Sequence, residues 1–149
     1  MGDAKLLVAT EDFSVSNMVR GALNDKGYSF ISASKGDSAI ALFKGETPAM
    51  VILDTAIKDC DALSVMREII RVSNIPVICI SKDADVVDKV LHMEIGADDF
   101  ITIPFDSREF AVRVKAANNY HFCSSRVNVA DIWRERACIL SVEVSQRFH

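Results

Sequence analysis

The chain has 149 residues, of which 50% are hydrophobic and 26% are charged, so it has enough apolar residues for a packed core and is not globally disordered. Its formal net charge of −4 argues against a nucleic-acid binder that works through a broad basic face. The sequence contains no run of 18 apolar residues and no signal-peptide pattern, which predicts a cytoplasmic protein without a membrane span.

Along the chain, short apolar runs alternate with amphipathic segments. The runs predict strands over residues 6–9, 29–33, 50–53, 77–80 and 100–103. Four of them are almost continuously apolar, as is typical of strands covered on both faces, whereas 29–33 alternates and suits a strand nearer an edge. Apolar residues at helical spacing follow each run, and the fifth such helix ends near residue 119.

This alternation predicts an α/β fold with a doubly wound parallel sheet and right-handed crossovers. The favoured topology is the flavodoxin-like (βα)5 arrangement, with strand order 2-1-3-4-5. We therefore expect one domain over residues 1–119. Residues 120–149 are too few to bury a separate core, and we interpret them as a tail or the stub of a further domain.

Acidic residues follow two of the predicted strands. Glu11 and Asp12 come after the first strand, next to Thr10, and Asp54 follows the third. Because ligands in open α/β sheets bind outside the carboxyl ends of the strands, these side chains are expected to converge. Neighbouring carboxylates repel, and a hard cation such as Mg²⁺ would relieve that repulsion. We call Thr10, Glu11 and Asp12 the acidic pocket, and Asp54 lies beside it.

The span 5–119 resembles the receiver domain of two-component response regulators, of the OmpR/PhoB type. The resemblance is carried by four motifs in the right order: KLLVATEDFS, VILDTAIKDCDAL, IPVICIS and GADDFITIPFD. It implies a signalling module rather than an enzyme, with a histidine kinase as a partner. The same resemblance implies the 2-1-3-4-5 strand order.

The resemblance also implies a role for particular residues. Asp54 matches the aspartate that accepts the phosphoryl group, and Glu11, Asp54 and the backbone carbonyl of Ala56 match the Mg²⁺ ligands. Ser81 matches the switch hydroxyl, and Phe100 matches the switch aromatic. The alternatives are that Asp54 only caps a strand end, that Glu11 and Asp12 are solvated acids at a helix start, that Ser81 is a turn residue and that Phe100 is core.

Two departures from the family pattern bear on chemistry. Thr10 stands where the first acid of the metal-binding pair is usual, and Ile103 stands where a lysine is usual. Phosphoryl transfer needs cations to neutralise and orient the phosphoryl oxygens, so we expect weak Mg²⁺ binding and impaired or phosphorylation-independent switching. Two alternatives remain open: a one-residue shift would make Glu11 and Asp12 the acidic pair, and Lys58 would replace the missing ammonium.

A mixed-charge surface on the fourth helix, fifth strand and fifth helix resembles the dimerisation face of the same regulators. The resemblance implies pairing between subunits of Lys89 with Glu109 and of Asp99 with Arg113. Such pairing would be symmetric about a two-fold axis. The alternative is that these charges only solvate the helices.

The leading interpretation is an atypical receiver (a pseudo-receiver) in transcription regulation, with dimerisation as its output. One alternative is a conventional Mg²⁺-dependent receiver phosphorylated on Asp54 by a histidine kinase. A remote alternative is a flavodoxin-like cofactor binder, although the acidic segment after the first strand would repel a phosphate. We expect DNA contact only through an effector domain that this chain does not contain.

Overall fold

Strands and helices alternate through the computed structural model, which describes residues 4–57, 61–83 and 85–124. The strands are β1 (Ala4–Ala9), β2 (Tyr28–Ala33), β3 (Met50–Asp54), β4 (Val77–Ser81) and β5 (Asp99–Thr102). The helices are α1 (Phe13–Ala22), α2 (Gly36–Glu46), α3 (Ala62–Val72), α4 (Val86–Ile95) and α5 (Ser107–Ser124).

All strand pairs are parallel, and the sheet order is β2-β1-β3-β4-β5. The predicted flavodoxin-like topology is therefore confirmed, with β2 at an edge as its alternating pattern indicates. Successive residues of the central strands enter different cores: Leu6 packs with Ile52 in one cluster, and Leu7 packs with Val51 in the other. Both faces of the sheet are buried, which explains the continuous apolar runs.

Polar caps begin the helices that border the candidate site. Asp12 caps α1, accepting a hydrogen bond from the Ser14 N–H at 2.9 Å. Asp106 caps α5 by accepting from the backbone N–H of Arg108 at 2.9 Å and of Glu109 at 3.1 Å. These caps supply partners for N–H groups that the first helical turn leaves unpaired. They orient α1 and α5 beside the carboxyl edge of the sheet.

Several boundaries differ from the sequence predictions: β1, β2 and β5 begin one or two residues earlier, and β3 and β4 end one residue later. Two further differences have a local cause. β5 ends at Thr102 rather than at Ile103, because Pro104 has no N–H with which to continue a ladder. α5 continues to Ser124, past residue 119, since the segment 107–124 contains neither glycine nor proline. Among the described residues, no helix is both long and apolar enough to cross a membrane.

The chain divides into two units, Met1–Asn118 and Asn119–His149. The first contains the whole sheet and most of α5. Residues 125–149 lie outside the described part of the chain, so the expectation of a tail or domain stub over 120–149 stays a prediction.

Candidate functional site

Asp54 lies at the carboxyl end of β3 and is 5% exposed. Its Oδ2 accepts a hydrogen bond from the Thr10 hydroxyl at 2.6 Å, and its Oδ1 accepts one from the Ala56 N–H at 2.9 Å. A buried carboxylate needs such partners because water is excluded from it. Both oxygens of Asp54 are therefore engaged by donors from this chain.

Thr10 also links Asp54 to the start of α1. Its Oγ1 accepts a hydrogen bond from the backbone N–H of Asp12 at 3.1 Å while its hydroxyl donates to Asp54. Asp12 itself is the α1 cap, so the interpretation of this acid as a helix-start residue holds alongside its place in the acidic pocket. Glu11 is exposed at the same edge. Thus Thr10, rather than an acid, stands against the buried carboxylate.

A cation that the sequence reasoning missed lies beside the acidic pocket. The Lys82 ammonium forms an ion pair with the Asp12 carboxylate. The hydrogen bond from Lys82 holds the pKa of Asp12 well below its usual range, and the hydrogen bond to Asp12 raises the pKa of Lys82. The negative charges of Asp54 and Asp83 add to the latter effect. The signal in the sequence was a lysine directly after Ser81, at the end of the neighbouring strand.

Ile103, which stands where the family pattern has a lysine, belongs to the hydrophobic core. Ile103 is 8% exposed and packs in the cluster that contains Phe110 and Val114. Its backbone N–H donates to the Ser81 carbonyl at 2.8 Å, which brings the end of β5 against the end of β4. A side chain packed in the core supplies no charge to the acidic pocket. Lys58, the other candidate for a replacement cation, lies outside the described residues.

The two residues predicted to act as switches are both buried. Ser81 is 6% exposed at the end of β4, next to Lys82 in the chain. Phe100 is 2% exposed, and its ring meets the ring of His92 edge-on with centroids 5.4 Å apart. Phe100 therefore has a place in the core whatever its role in switching, and His92 on α4 is its immediate neighbour.

The fit of the acidic pocket to Mg²⁺ is poor. Within the described ranges, no group of three or more His, Cys, Asp or Glu side chains is arranged to hold a metal ion. Thr10 brings a neutral hydroxyl that is committed to Asp54, and Asp12 is neutralised by Lys82. Mg²⁺ favours octahedral oxygen ligation with carboxylates, and these commitments oppose it.

The predicted dimer face shows charge pairs within a single chain. Arg113 lies 3.3 Å from Asp99 and 2.9 Å from Glu109. Lys89 is exposed on α4. The resemblance implies pairing of Asp99 with Arg113 between subunits, whereas here these two side chains meet inside one chain. A dimer that used this pair across its axis would first have to exchange the internal contact.

Exposed apolar side chains accompany these charges. Among the described side chains of α4 and α5, the large ones are Val86, Val87, Val90, Leu91, Met93 and Val112. We call these residues, together with Lys89, Asp99, Glu109 and Arg113, the α4–β5–α5 face. Its mixture of exposed aliphatic side chains and both signs of charge is chemically suited to a protein partner.

Comparison with known proteins agrees with this geometry. Residues 6–115 match the family model described as the response regulator receiver domain. The probable transcriptional regulator ycf27 of Porphyridium aerugineum is 34% identical over 116 residues, which cover 78% of this chain and 48% of that protein. The chain thus spans about half the length of the curated relatives it matches.

Solved structures show the same fold. The receiver domain of NtrX from Brucella abortus is 28% identical, with a TM-score of 0.72 over 76% of this chain and 98% of that one. The signal receiver domain of a putative LuxO repressor from Vibrio parahaemolyticus has a TM-score of 0.79 at 19% identity, over 86% of this chain and 98% of that one. Family, sequence relatives and fold agree, and the chain belongs to the response regulator receiver domains, the signalling modules of two-component systems.

Proposed function

We propose that this receiver domain is atypical: it switches with little or no dependence on phosphorylation of Asp54, and its output is dimerisation. The first part of the proposal, independence from phosphorylation, is supported by the hydrogen bonds that Asp54 accepts. Its carboxylate accepts from Thr10 and Ala56, while the position of the usual lysine is taken by the core residue Ile103.

A phosphoryl group on Asp54 would add negative charge next to the acidic pocket. Loss of one preorganised partner for developing charge typically slows a reaction by roughly 10²–10³-fold. The ion pair of Lys82 with Asp12 neutralises one acid, but it also uses the ammonium that would otherwise face a phosphoryl group. The proposal therefore includes Mg²⁺ binding that is weak.

Small phosphodonors test this half directly. The protein is incubated with acetyl phosphate and Mg²⁺, and modification is followed by intact-protein mass spectrometry, with Asp54→Asn as the blank. We expect little or unstable modification of the wild type, and faster modification of the double variant Thr10→Asp/Ile103→Lys, which restores both usual side chains. Stoichiometric, long-lived modification of wild-type Asp54 would establish the conventional phosphoacceptor instead.

The second half concerns the α4–β5–α5 face, for which the occupant we propose is a second copy of this chain. Charge complementarity supports this choice, since one face carries the acids Asp99 and Glu109 and the bases Lys89 and Arg113. A two-fold axis brings each patch against its own copy, so both signs find partners. The exposed aliphatic side chains would be covered in the same contact.

Sedimentation velocity over a wide concentration range tests the dimer. We expect a dimer without phosphate that persists in Asp54→Asn. Lys89→Glu should weaken it and Lys89→Glu/Glu109→Lys should restore it, because Lys89 and Glu109 are expected to meet across the axis. As a control, Lys26→Glu makes the same charge change at an exposed lysine before β2, outside the α4–β5–α5 face. A monomer at every concentration contradicts the proposal.

The wider setting is also part of the proposal. We infer a cytoplasmic signalling role in which a histidine kinase is the partner. In the family, that kinase acts on the aspartate that Asp54 matches. Transcription regulation is suggested by the names of the relatives, which are about twice as long as the matched region. DNA binding is accordingly proposed for an effector domain and not for the residues of this receiver.

A further inference from the structure

Lys82 joins the end of β4 to the start of α1. Its ammonium pairs with the carboxylate of Asp12, a residue 70 positions earlier in the chain. The Lys82 side chain is 50% exposed and that of Asp12 is 36% exposed, so the pair lies at the mouth of the acidic pocket rather than within the core. The fold thus places a positive charge at the edge where the acids converge.

Asp12 is connected to Asp54 through Thr10. The Asp12 N–H donates to the Thr10 oxygen at 3.1 Å, and the Thr10 hydroxyl donates to Asp54 at 2.6 Å. Asp12 therefore contacts Lys82 through its carboxylate and Thr10 through its backbone N–H, and Thr10 contacts Asp54. A lysine side chain is protonated at neutral pH, so Lys82 brings a full positive charge to this edge of the sheet.

We propose that the Lys82 ammonium is a built-in counterion of the acidic pocket, which takes the place of a divalent metal by holding Asp12. This inference rests on the proposed function, in which Mg²⁺ binding is weak, and it names the residue responsible. A metal ion that approaches Asp54 must compete with Lys82 for Asp12 and is repelled by the ammonium. Because the lysine is tethered, its local concentration does not depend on the solution.

The competition between Lys82 and a metal ion predicts the direction in which metal affinity changes when Lys82 is removed. Removing the ammonium frees Oδ2 of Asp12, while Oδ1 still accepts from Ser14. It also removes a positive charge beside the metal position, and both changes favour a divalent cation. The pair is half-exposed and contributes little to folding, so its loss leaves the domain folded. Metal affinity should therefore change much more than stability.

The test uses the full chain and Mn²⁺ as the probe, with free Mn²⁺ counted by electron paramagnetic resonance and Mg²⁺ added as competitor. We expect Lys82→Met to bind Mn²⁺ roughly tenfold more tightly than the wild type. Lys82→Arg keeps the charge and should bind as the wild type does. Lys26→Met, at an exposed position before β2, removes the same charge away from the α4–β5–α5 face and should leave Mn²⁺ affinity unchanged.

A second variant tests whether the Asp12 carboxylate is the group that binds Mn²⁺. In Lys82→Met/Asp12→Asn the gain should disappear, since the freed carboxylate is gone. Equal Mn²⁺ affinity of Lys82→Met and wild type overturns the proposal, as does a gain that survives Asp12→Asn or that Lys26→Met reproduces. Urea unfolding of each variant verifies that it is folded, and Lys82→Gln repeats the measurement if Lys82→Met is not.

The result of the Mn²⁺-binding experiment can be distinguished from the results of the experiments that test the proposed function. Mn²⁺ counting involves no phosphoryl group and no dimer. If acetyl phosphate modifies the wild type readily while Lys82→Met still binds Mn²⁺ more tightly, the phosphorylation-independent switch is wrong and the counterion stands. If the wild type resists acetyl phosphate and Lys82→Met gains no affinity, the counterion is wrong and the proposed function stands.

Discussion

The Thr10 hydroxyl donates a 2.6 Å hydrogen bond to the Asp54 carboxylate, and both residues are buried. In a receiver domain a second acid is usual at the Thr10 position, where it would repel Asp54 unless a cation lay between them. A hydroxyl reverses that relationship, because it stabilises the carboxylate directly. Thr10 therefore supplies the buried Asp54 with a donor at the position where the family pattern has a second acid.

Thr10→Val removes this hydrogen bond while keeping the shape of the side chain. We expect the free energy of unfolding to fall by about 1–3 kcal/mol, because a buried carboxylate loses a donor and the Asp12 N–H loses its acceptor. Urea unfolding at pH 7 without divalent ions measures the change.

Thr10→Ser is the matched control, since it keeps the hydroxyl and loses a methyl group, at a cost of about 1 kcal/mol. In a double-mutant cycle with Asp54→Ala, the two residues should show a favourable coupling energy. Strictly additive effects would mean that the hydrogen bond contributes nothing to stability.

Glu68 should make stability depend on pH below neutrality. Its carboxylate bonds Arg71 at 2.8 Å on the same helix and lies 3.2 Å from Lys44 on α2. The hydrogen bonds from Arg71 and then Lys44 lower the pKa of Glu68 from 4.5 to about 2. The stabilisation is therefore complete above the unfolded-state value and is lost as the pH falls from 4.5 towards 2.

We expect Glu68→Gln to be less stable than the wild type at pH 6, with the difference narrowing as the pH approaches 2. Urea midpoints across this range measure it, and added salt should shrink the difference at pH 6. Glu94→Gln, at an exposed position on α4, removes the same charge without these partners. A difference that stays constant with pH would contradict the assignment.

His92 is a polar residue whose side chain is buried beside the ring of Phe100. Its Nδ1 lies 2.7 Å from the Asp88 carbonyl, while within the described residues its buried Nε2 has no hydrogen-bond partner. An unsatisfied buried polar atom costs about 1–3 kcal/mol. We expect His92→Leu to leave the free energy of unfolding unchanged or to raise it by about 1 kcal/mol, with the lost bond to Asp88 offsetting part of the gain.

Thermal and urea unfolding check this expectation, and near-ultraviolet circular dichroism reports on Phe100, whose ring contacts His92. His92→Gln is the control, because it keeps polar atoms in the same place and should be less stable than His92→Leu. Destabilisation of His92→Leu by more than about 2 kcal/mol would show that the ring is required for packing against Phe100.

Much of the fold follows from local pattern. The runs around Leu6, Val51 and Ile78 are apolar without interruption, and only a strand covered on both faces needs that composition. The cap of α5 is local in the same way, since Asp106 precedes the helix at the spacing that a capping interaction requires. The end of α5 was not, because no glycine or proline marks it before Ser124.

Reading the sequence is enough to find the alternation of elements, the acids at the strand ends and the isoleucine at the usual lysine position, because each depends on residues close together in the chain. The contact of Thr10 with Asp54 and the pairing of Lys82 with Asp12 become visible only in the folded chain. Thr10 and Asp54 are 44 residues apart and Asp12 and Lys82 are 70 apart, so each contact depends on parallel strands placing their carboxyl ends side by side. Periodicity locates a residue on an element, but it does not identify which charge on a neighbouring element that residue will meet.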